Sequence, residues 1–219
     1  MDFMRLLKSL EELLFEVASW LLFYPLTLWR SIRYPERMMR YADVELLDKD
    51  QEQYTDTLNP PTFLLISLLI AHGIELKLVR NTVLPLPSML TDDSNLLIFR
   101  AVMFSIFPLL LALLYLRYRK LPLDRKTLKA PFYSQCYVAA PFALLMSLGG
   151  IVSRADGNHA SSVGAVLAVA ALAWYVAVQT RWFSASLGIS ALRAVFGVIG
   201  MVLAAAMVVI LVSLAIALG

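Results

Sequence analysis

The sequence predicts an all-α fold: a polytopic membrane helix bundle with five transmembrane helices, preceded by an N-terminal amphipathic interfacial helix. Hydrophobic residues make up 60% of the chain and charged residues 16%, and the mean hydropathy is +0.72, which is far from the composition of a soluble domain. The apolar residues gather in five stretches, each near the ~20 residues that cross a hydrocarbon core of about 30 Å. We therefore expect an amphipathic interfacial helix over 1–30, a cytoplasmic linker over 31–60 and a five-helix transmembrane domain over 61–219.

Residues 1–30 carry their polar side chains three or four positions apart, which places them on one stripe of a helix opposite a leucine-rich face. Such a helix should lie in the membrane interface. One alternative is a sixth span over Leu13 to Trp29. A signal peptide is the other alternative, but acidic residues dilute its basic start and no small-residue cleavage site follows. Pro25 is expected to break or kink the helix. The polar stripe comprises Arg5, Lys8, Ser9, Glu12, Glu16, Ser19, Thr27 and Arg30.

Residues 30–60 form the only long water-facing stretch, with a basic first half and an acidic second half. Each cation near an anionic membrane surface contributes about 1 kcal/mol, so the basic half is expected to contact anionic lipid or an acidic partner. Thirty residues are too few for an independent core, so we expect a docking strip or a cap folded back on the bundle. The basic half contains Arg30, Arg33, Arg37 and Arg40.

The five predicted spans follow in order. The first begins at Pro60-Pro61, where a missing backbone N–H costs no intrahelical bond, and runs from Thr62 to Arg80. The segment from Asn81 to Ser94 has no Lys or Arg and is expected to be translocated. The other four spans are predicted over Leu96–Leu116, Pro131–Val152, Ser161–Thr180 and Ala194–Gly219.

The segment over 117–129 contains six cations and one acid, which is the strongest orientation signal in the chain. By the positive-inside rule, it and residues 30–60 should be cytoplasmic, with the C-terminus on the opposite side of a membrane that we expect to be a bacterial inner membrane. This placement explains the net charge of +3 without nucleic acid, and no nucleic-acid partner is expected. Lipid or partner contacts are predicted for Arg119, Lys120, Arg125 and Lys126.

Small residues recur on the last two spans and predict helix contacts there, because close backbone approach replaces the hydrophobic drive that is absent in lipid. The candidates are Ala160, Gly164 and Ala168 on the fourth span, and Ser186, Ser190, Ala194, Gly197, Gly200 and Ala204 around the fifth.

Three titratable residues form a predicted intramembrane polar site. His72 and Glu75 are three positions apart and share a helix face, a spacing that suits a proton relay or a cation site. In the simpler interpretation, Glu75 is an ion-pair partner that fixes two helices. Arg100 lies at a similar depth near the outer end of the second span, so we predict a Glu75–Arg100 pair. In the alternative, Arg100 extends outward alone and Glu75 is protonated or bonded to His72.

The sequence shows no established catalytic or metal motif. It lacks a Gly-rich phosphate loop and the HExxH, GxSxG and CxxC patterns. Its single cysteine, Cys136, lies in an apolar span and can form neither an intrachain disulfide nor a cysteine cluster. We expect no enzyme, no catalytic residue, no metal and no cofactor. The polar group Arg154, Asp156, Asn158 and His159 is interpreted as a solvated turn rather than a site.

A cytoplasmic N-terminal arm, five spans and a short C-terminus on the far side, with Leu58-Asn59-Pro60-Pro61 entering the first span, resemble the Yip family of membrane proteins in their bacterial form. The resemblance implies a non-catalytic organiser or accessory subunit of a membrane complex, with a protein partner or a second copy. The alternative is a small-solute or ion transporter or channel that uses His72 and Glu75. Pro108 and Pro141 inside two spans favour that alternative, whereas no internal repeat supports it.

Overall fold

The computed structural model describes residues 2–49, 52–78, 92–155 and 157–218, and these form seven helices without a strand. Five of the seven, α3 to α7, are long and apolar enough to cross a membrane, and α1 does not meet that criterion. The predicted all-α polytopic bundle is therefore confirmed, and the chain is a multi-pass integral membrane protein. The helices are α1 (Asp2–Arg33), α2 (Pro35–Glu45), α3 (Pro60–Leu78), α4 (Asp93–Arg119), α5 (Arg125–Ser153), α6 (Ala160–Leu187) and α7 (Ala191–Leu218).

Some predicted boundaries cannot be compared with the structure. Arg80 at the end of the first span, positions 81–91 of the predicted translocated segment, and Gly219 at the end of the last span lie outside the described residues.

The turns between consecutive spans are encoded by capping residues. Asp124 Oδ1 accepts hydrogen bonds from the backbone N–H groups of Lys126 and Thr127 at 2.8 and 2.9 Å, and Thr127 Oγ1 accepts from the Asp124 N–H at 3.1 Å. This capping box starts α5. Lys120 ends α4 with a φ of 54°, and Gly188 ends α6 with a φ of 64°, a conformation that costs glycine little. Both short turns reverse the chain at the same end of the bundle.

Helix α5 is the centre of the molecule. It contacts α1, α2, α3, α4 and α6, whereas α7 packs on the outside against α4 and α6. Every residue from Ser134 to Leu144 is buried, so this stretch is covered on all sides. The ring of Phe142 stacks on Tyr175 of α6 with centroids 4.3 Å apart. Much of the surface of α6 and α7 is exposed and apolar, as expected for helices that face lipid.

Helix α1 is continuous through Pro25, so of the two outcomes expected at this proline, a break or a kink, the break does not occur. Proline removes one intrahelical hydrogen bond, and packing of the following residues offsets that loss. Thr27 and Ser31 are fully buried, and Thr27 Oγ1 accepts a hydrogen bond from the Leu58 N–H at 3.1 Å. The second half of α1 therefore belongs to the bundle, and the helix extends three residues beyond the predicted boundary at residue 30.

The described residues between α1 and α3 fold back on the bundle as a cap. Helix α2 buries Met38, Met39 and Ala42, and its main contact is with α5. The Ser134 hydroxyl of α5 donates to the Met39 carbonyl at 2.9 Å. Of the two forms expected for this segment, docking strip and cap, the structure shows the cap.

Candidate functional site

The predicted polar residues lie at one end of the bundle, which we call the Glu75 end. Glu75 of α3 forms ion pairs with Arg100 of α4 and with Arg154, which directly follows α5. The Arg154 guanidinium lies 2.5 Å from Glu75 Oε1, and Arg100 contacts the other carboxylate oxygen. The Glu75 side chain is only 10% exposed. The structure thus contains the expected Glu75–Arg100 pair and adds a second arginine to it.

Arg154 is held in place by the backbone around it. Its Nε donates to the Gly150 carbonyl at 2.9 Å, one turn earlier in α5. Nearby, α5 and α6 make their close approach: a Cβ added to Gly164 would lie 2.4 Å from the Gly149 carbonyl oxygen. Glycine is required on both sides of such a contact. The glycine seam, Gly149 and Gly164, therefore fixes the end of α5 from which Arg154 extends to Glu75.

The structure supports some of the predicted small-residue contacts. On α6, Gly164 and Ala168 lie against Gly149. On α7, Ala194 is fully buried and Gly197 lies beside the Tyr118 hydroxyl of α4. Gly200 is exposed, and a Cβ placed on it would meet no atom within 4 Å, so its predicted contact is wrong.

His72 lies on the same buried face of α3 as Glu75 and is 7% exposed. Among the described residues its Nδ1 has no hydrogen-bond partner, and no bond joins it to Glu75. Both carboxylate oxygens of Glu75 instead contact arginines. The two residues are neighbours on one face, as their spacing predicts, but the described contacts do not form a proton relay.

The opposite end of the bundle, which we call the basic end, contains α2, the second half of α1 and the turn between α4 and α5. Arg30 forms a salt bridge with Asp56 at 2.8 Å, and the Tyr41 hydroxyl donates to Asp56 at 2.6 Å. Burial raises the pKa of Asp56, but the hydrogen bonds from Tyr41 and Arg30 outweigh burial and hold this pKa below its ordinary value. Arg30 is therefore engaged within the protein and ties α1 to the segment before α3.

The other seven predicted contact residues at the basic end are all exposed, and no acidic side chain among the described residues pairs with them. Three of them stack on aromatic rings, and the other four extend into solvent. The distances from guanidinium to ring centroid are 5.1 Å for Arg33 over Tyr34, 6.0 Å for Arg40 over Trp182 and 5.7 Å for Arg119 over Tyr115. The four without a stacking partner are Arg37, Lys120, Arg125 and Lys126.

A cavity of about 200 Å³ opens at the basic end between α2, α4, α5 and α6. Its single acidic lining residue is Asp43 of α2, which receives a hydrogen bond of 2.7 Å from the Ser134 hydroxyl. Burial raises the pKa of Asp43 above its ordinary value, and the Ser134 hydrogen bond opposes this rise. The rings of Tyr115 and Trp182 also line the cavity.

Two of these residues were not predicted. Arg154 was interpreted as part of a solvated turn, which is wrong, since its guanidinium pairs with Glu75; Asn158 and His159 are exposed as expected. The fourth member of that group, Asp156, lies outside the described residues. A cation directly after a predicted span, at the same end as Glu75, was the available signal. Asp43 belongs to an acidic run, and no sequence pattern distinguishes it from its exposed neighbours.

Searches of the chain against protein-family models, curated proteins and solved structures find no match.

Proposed function

We propose that this protein is a non-catalytic organiser or accessory subunit of a membrane complex, anchored by α3 to α7 and recruiting its partner through α1 and the basic end. The observation that carries this proposal is the uncovered first half of α1. Phe15 is 73% exposed and Leu21 is 77% exposed, and most apolar side chains from Met4 to Leu22 are exposed with them. A long apolar stripe without cover is a feature of a surface that binds a partner or a membrane.

The shape of α1 supports recruitment. The second half of α1 packs in the bundle, and its first half is exposed. In this first half, polar and apolar residues recur at helical spacing, so the helix has one polar face and one apolar face. An amphipathic helix of this kind lies in the membrane interface or lays its apolar face into a groove of another protein. The exposed cations of the basic end add attraction for anionic headgroups and for acidic protein surfaces.

The Glu75 end supports a structural rather than a transporting role for the intramembrane charges. The negative charge of a carboxylate placed between two guanidinium groups is compensated, and each of its oxygens contacts an arginine. Such a cluster joins α3, α4 and α5 at one end of the bundle. Its role in this proposal is to hold the anchor rigid.

The second candidate is a small-solute or ion transporter that uses His72 and Glu75. One observation favours it: the buried Nδ1 of His72 has no partner in the described part of the chain. Buried ionisable residues within spans mark ion and proton pathways in many membrane proteins. This function requires Glu75 to exchange its arginine partners for His72 or for a substrate during the cycle.

The proposal also covers the orientation of the protein in its membrane and its relationship to the Yip family. The basic end is placed in the cytoplasm, with the C-terminus on the opposite side of a bacterial inner membrane, because exposed cations cluster at that end. A relationship of the Yip type is part of the same proposal, and its support is the layout of five candidate spans preceded by the N-terminal helices α1 and α2. A cysteine at Met4 should react with an impermeant maleimide only from the cytoplasmic side. Reaction from the opposite side contradicts this orientation.

The decisive experiment is purification of the tagged full chain in mild detergent, in parallel with a variant in which Leu10, Leu14 and Leu21 are changed to Ser. We expect a stoichiometric protein partner or a second copy with the wild type and its loss with the variant. A control variant, Glu12→Gln and Glu16→Gln, alters the polar face of α1 and should retain the partner. Equal recovery in all three samples contradicts recruitment by α1. Flux through reconstituted wild-type protein that Glu75→Gln abolishes would support the transporter instead.

A further inference from the structure

The cavity at the basic end offers one carboxylate in an otherwise largely apolar space. It is lined by Asp43 of α2, Ser134 and Gln135 of α5, Tyr115 of α4 and Trp182 of α6. It lies where α4 ends and α5 begins, which is the level at which a spanning helix leaves the hydrocarbon and meets lipid headgroups. A headgroup in the surrounding membrane is therefore close to its mouth.

The carboxylate of Asp43 is only partly satisfied. Ser134 Oγ lies 2.7 Å from Oδ1 and 2.9 Å from the Met39 carbonyl oxygen, so its single proton serves one of these two acceptors at a time. Within the described ranges Oδ2 has no hydrogen-bond donor and Asp43 has no cation within 4 Å. A half-buried carboxylate without a counter-charge is unfavourable, and a ligand that brings both N–H donors and positive charge would relieve it. Asp43 thus specifies an ammonium group.

The surroundings of the cavity specify a second charge of opposite sign. The exposed guanidinium groups of Arg40 and Arg119 stand over the lining rings of Trp182 and Tyr115. Arg119 Nε also donates to the Tyr115 hydroxyl at 3.3 Å. Two cations that stand over rings of the cavity, with one carboxylate inside it, favour a ligand whose ammonium is next to a phosphate over a simple monocation.

We propose that this cavity binds the phosphoethanolamine headgroup of an aminophospholipid, with its ammonium at Asp43 and its phosphate toward Arg40 and Arg119. A primary ammonium is favoured over a quaternary one because Asp43 Oδ2 requires a hydrogen-bond donor. The rings of Tyr115 and Trp182 already carry guanidinium groups, so they form no free aromatic cage of the kind that binds choline. The lipid site does not require a protein partner, so a failed test of lipid binding leaves the organiser function untouched, and the reverse also holds.

The test titrates the purified full chain in detergent micelles with phosphatidylethanolamine, phosphatidylcholine or phosphatidylglycerol and counts retained lipids by native mass spectrometry. We expect one saturable phosphatidylethanolamine molecule that depends on Asp43 and weaker retention of phosphatidylcholine, whereas any phosphatidylglycerol held by the exposed cations should not depend on Asp43. Asp43→Asn removes a charge-assisted hydrogen bond and should weaken binding about tenfold. The control Asp48→Asn removes a carboxylate that is exposed and does not line the cavity, and it should bind as the wild type does.

If Asp43→Asn fails to fold, a second variant and a second measurement still test the proposal. Changing Arg40 and Arg119 together to Gln leaves Asp43 in place and should weaken retention of the lipid several-fold. Phosphatidylethanolamine should also raise the melting temperature of the wild type more than phosphatidylcholine does. Equal effects of these two lipids overturn the proposal, as does retention unchanged by both variants. Soluble phosphoethanolamine that binds as tightly as the lipid overturns the assignment to a membrane lipid.

Discussion

Among the described residues, the predicted charged site residues are paired and largely buried at one end of the bundle and mostly unpaired and exposed at the other. At the Glu75 end, one carboxylate and two guanidinium groups are drawn into mutual contact and largely hidden from solvent. At the basic end, only Arg30 of the predicted contact residues has an acidic partner in the described chain, and the others are exposed. The first arrangement joins helices to one another, whereas the second leaves charge available to something outside the protein.

This difference follows from the environment that each end provides. A charge within a span costs roughly 2.5 to 3.5 kcal/mol at the bilayer centre on insertion scales, so Glu75 must be paired to be tolerated. A cation at the membrane surface is already solvated, and a salt bridge there adds only about 0 to 1 kcal/mol. Contacts at the Glu75 end should therefore dominate stability, and those at the basic end should dominate binding.

The largest expected effect comes from removing the carboxylate. Glu75→Gln leaves two guanidinium groups without a counter-charge and should lower the free energy of unfolding by about 3 kcal/mol, since breaking a buried pair on one side is costly. Thermal unfolding in detergent measures this change. Arg154→Gln should cost less, because Arg100 remains on Glu75. In the Glu75→Gln, Arg154→Gln cycle the losses should be less than additive, and strict additivity would contradict the pairing.

The glycine seam should give the next largest effect. Gly164→Ala places a Cβ 2.4 Å from the Gly149 carbonyl oxygen, so α5 and α6 must separate, at a cost of about 1 to 3 kcal/mol. Gly200→Ala is the matched control, since its Cβ meets no atom within 4 Å and alanine is a better helix former than glycine. We expect a lower melting temperature for the first variant and an unchanged or higher one for the second. A seam variant as stable as the control would disprove the close approach.

The basic end should be insensitive in stability and sensitive in binding. Changing Arg119, Lys120, Arg125 and Lys126 to Gln should weaken attachment of the detergent-purified protein to anionic vesicles. The loss should be about tenfold when salt screens the charges and up to about a thousandfold at low salt, since four cations together contribute up to about 4 kcal/mol. Neutral phosphatidylcholine vesicles serve as the comparison. A melting temperature close to the wild-type value is expected at the same time. Unchanged attachment to anionic vesicles shows that these cations are merely solvated.

The smallest effect concerns the pH dependence of the Arg30–Asp56 contact. The pKa of Asp56 is lower in the folded protein than in the unfolded chain, so its contribution to stability is present above the unfolded value of ~4 and is lost as pH falls through the lower folded value. Asp56→Asn should thus be slightly less stable than the wild type at pH 7 and equal to it in strong acid. The Asp56 side chain is 57% exposed, so we expect a difference below about 1 kcal/mol. A difference that persists at the lowest pH contradicts this origin.

The sequence was sufficient to predict the helical class and the five spans, because a run of about 20 apolar residues has few folded forms other than a crossing helix. It was also sufficient to predict the pairing of Glu75 with Arg100, since depth along two successive spans follows from counting residues. Arg154 was missed because its partner lies 79 residues away and its own neighbours are polar. Asp43 was missed because its cavity is formed by four helices that only tertiary packing brings together. The continuity of α1 through Pro25 likewise depends on the tertiary packing of Thr27 and Ser31, which local helix propensity cannot predict.

The docking of α2 on α5 imposes an order on biogenesis. Met39 contacts Ser134, which is synthesised 95 residues later, and the Leu58 carbonyl accepts a hydrogen bond of 2.9 Å from the Tyr137 hydroxyl, 79 residues later. At a synthesis rate of roughly 5 to 20 residues per second, α2 waits about 5 to 20 seconds for its binding surface to emerge. During that interval two spans must already have been threaded into the bilayer, while α1 and α2 remain outside the nascent bundle. If the amphipathic α1 rests on the membrane surface during this interval, it keeps this early segment beside the insertion site until the third span closes over it.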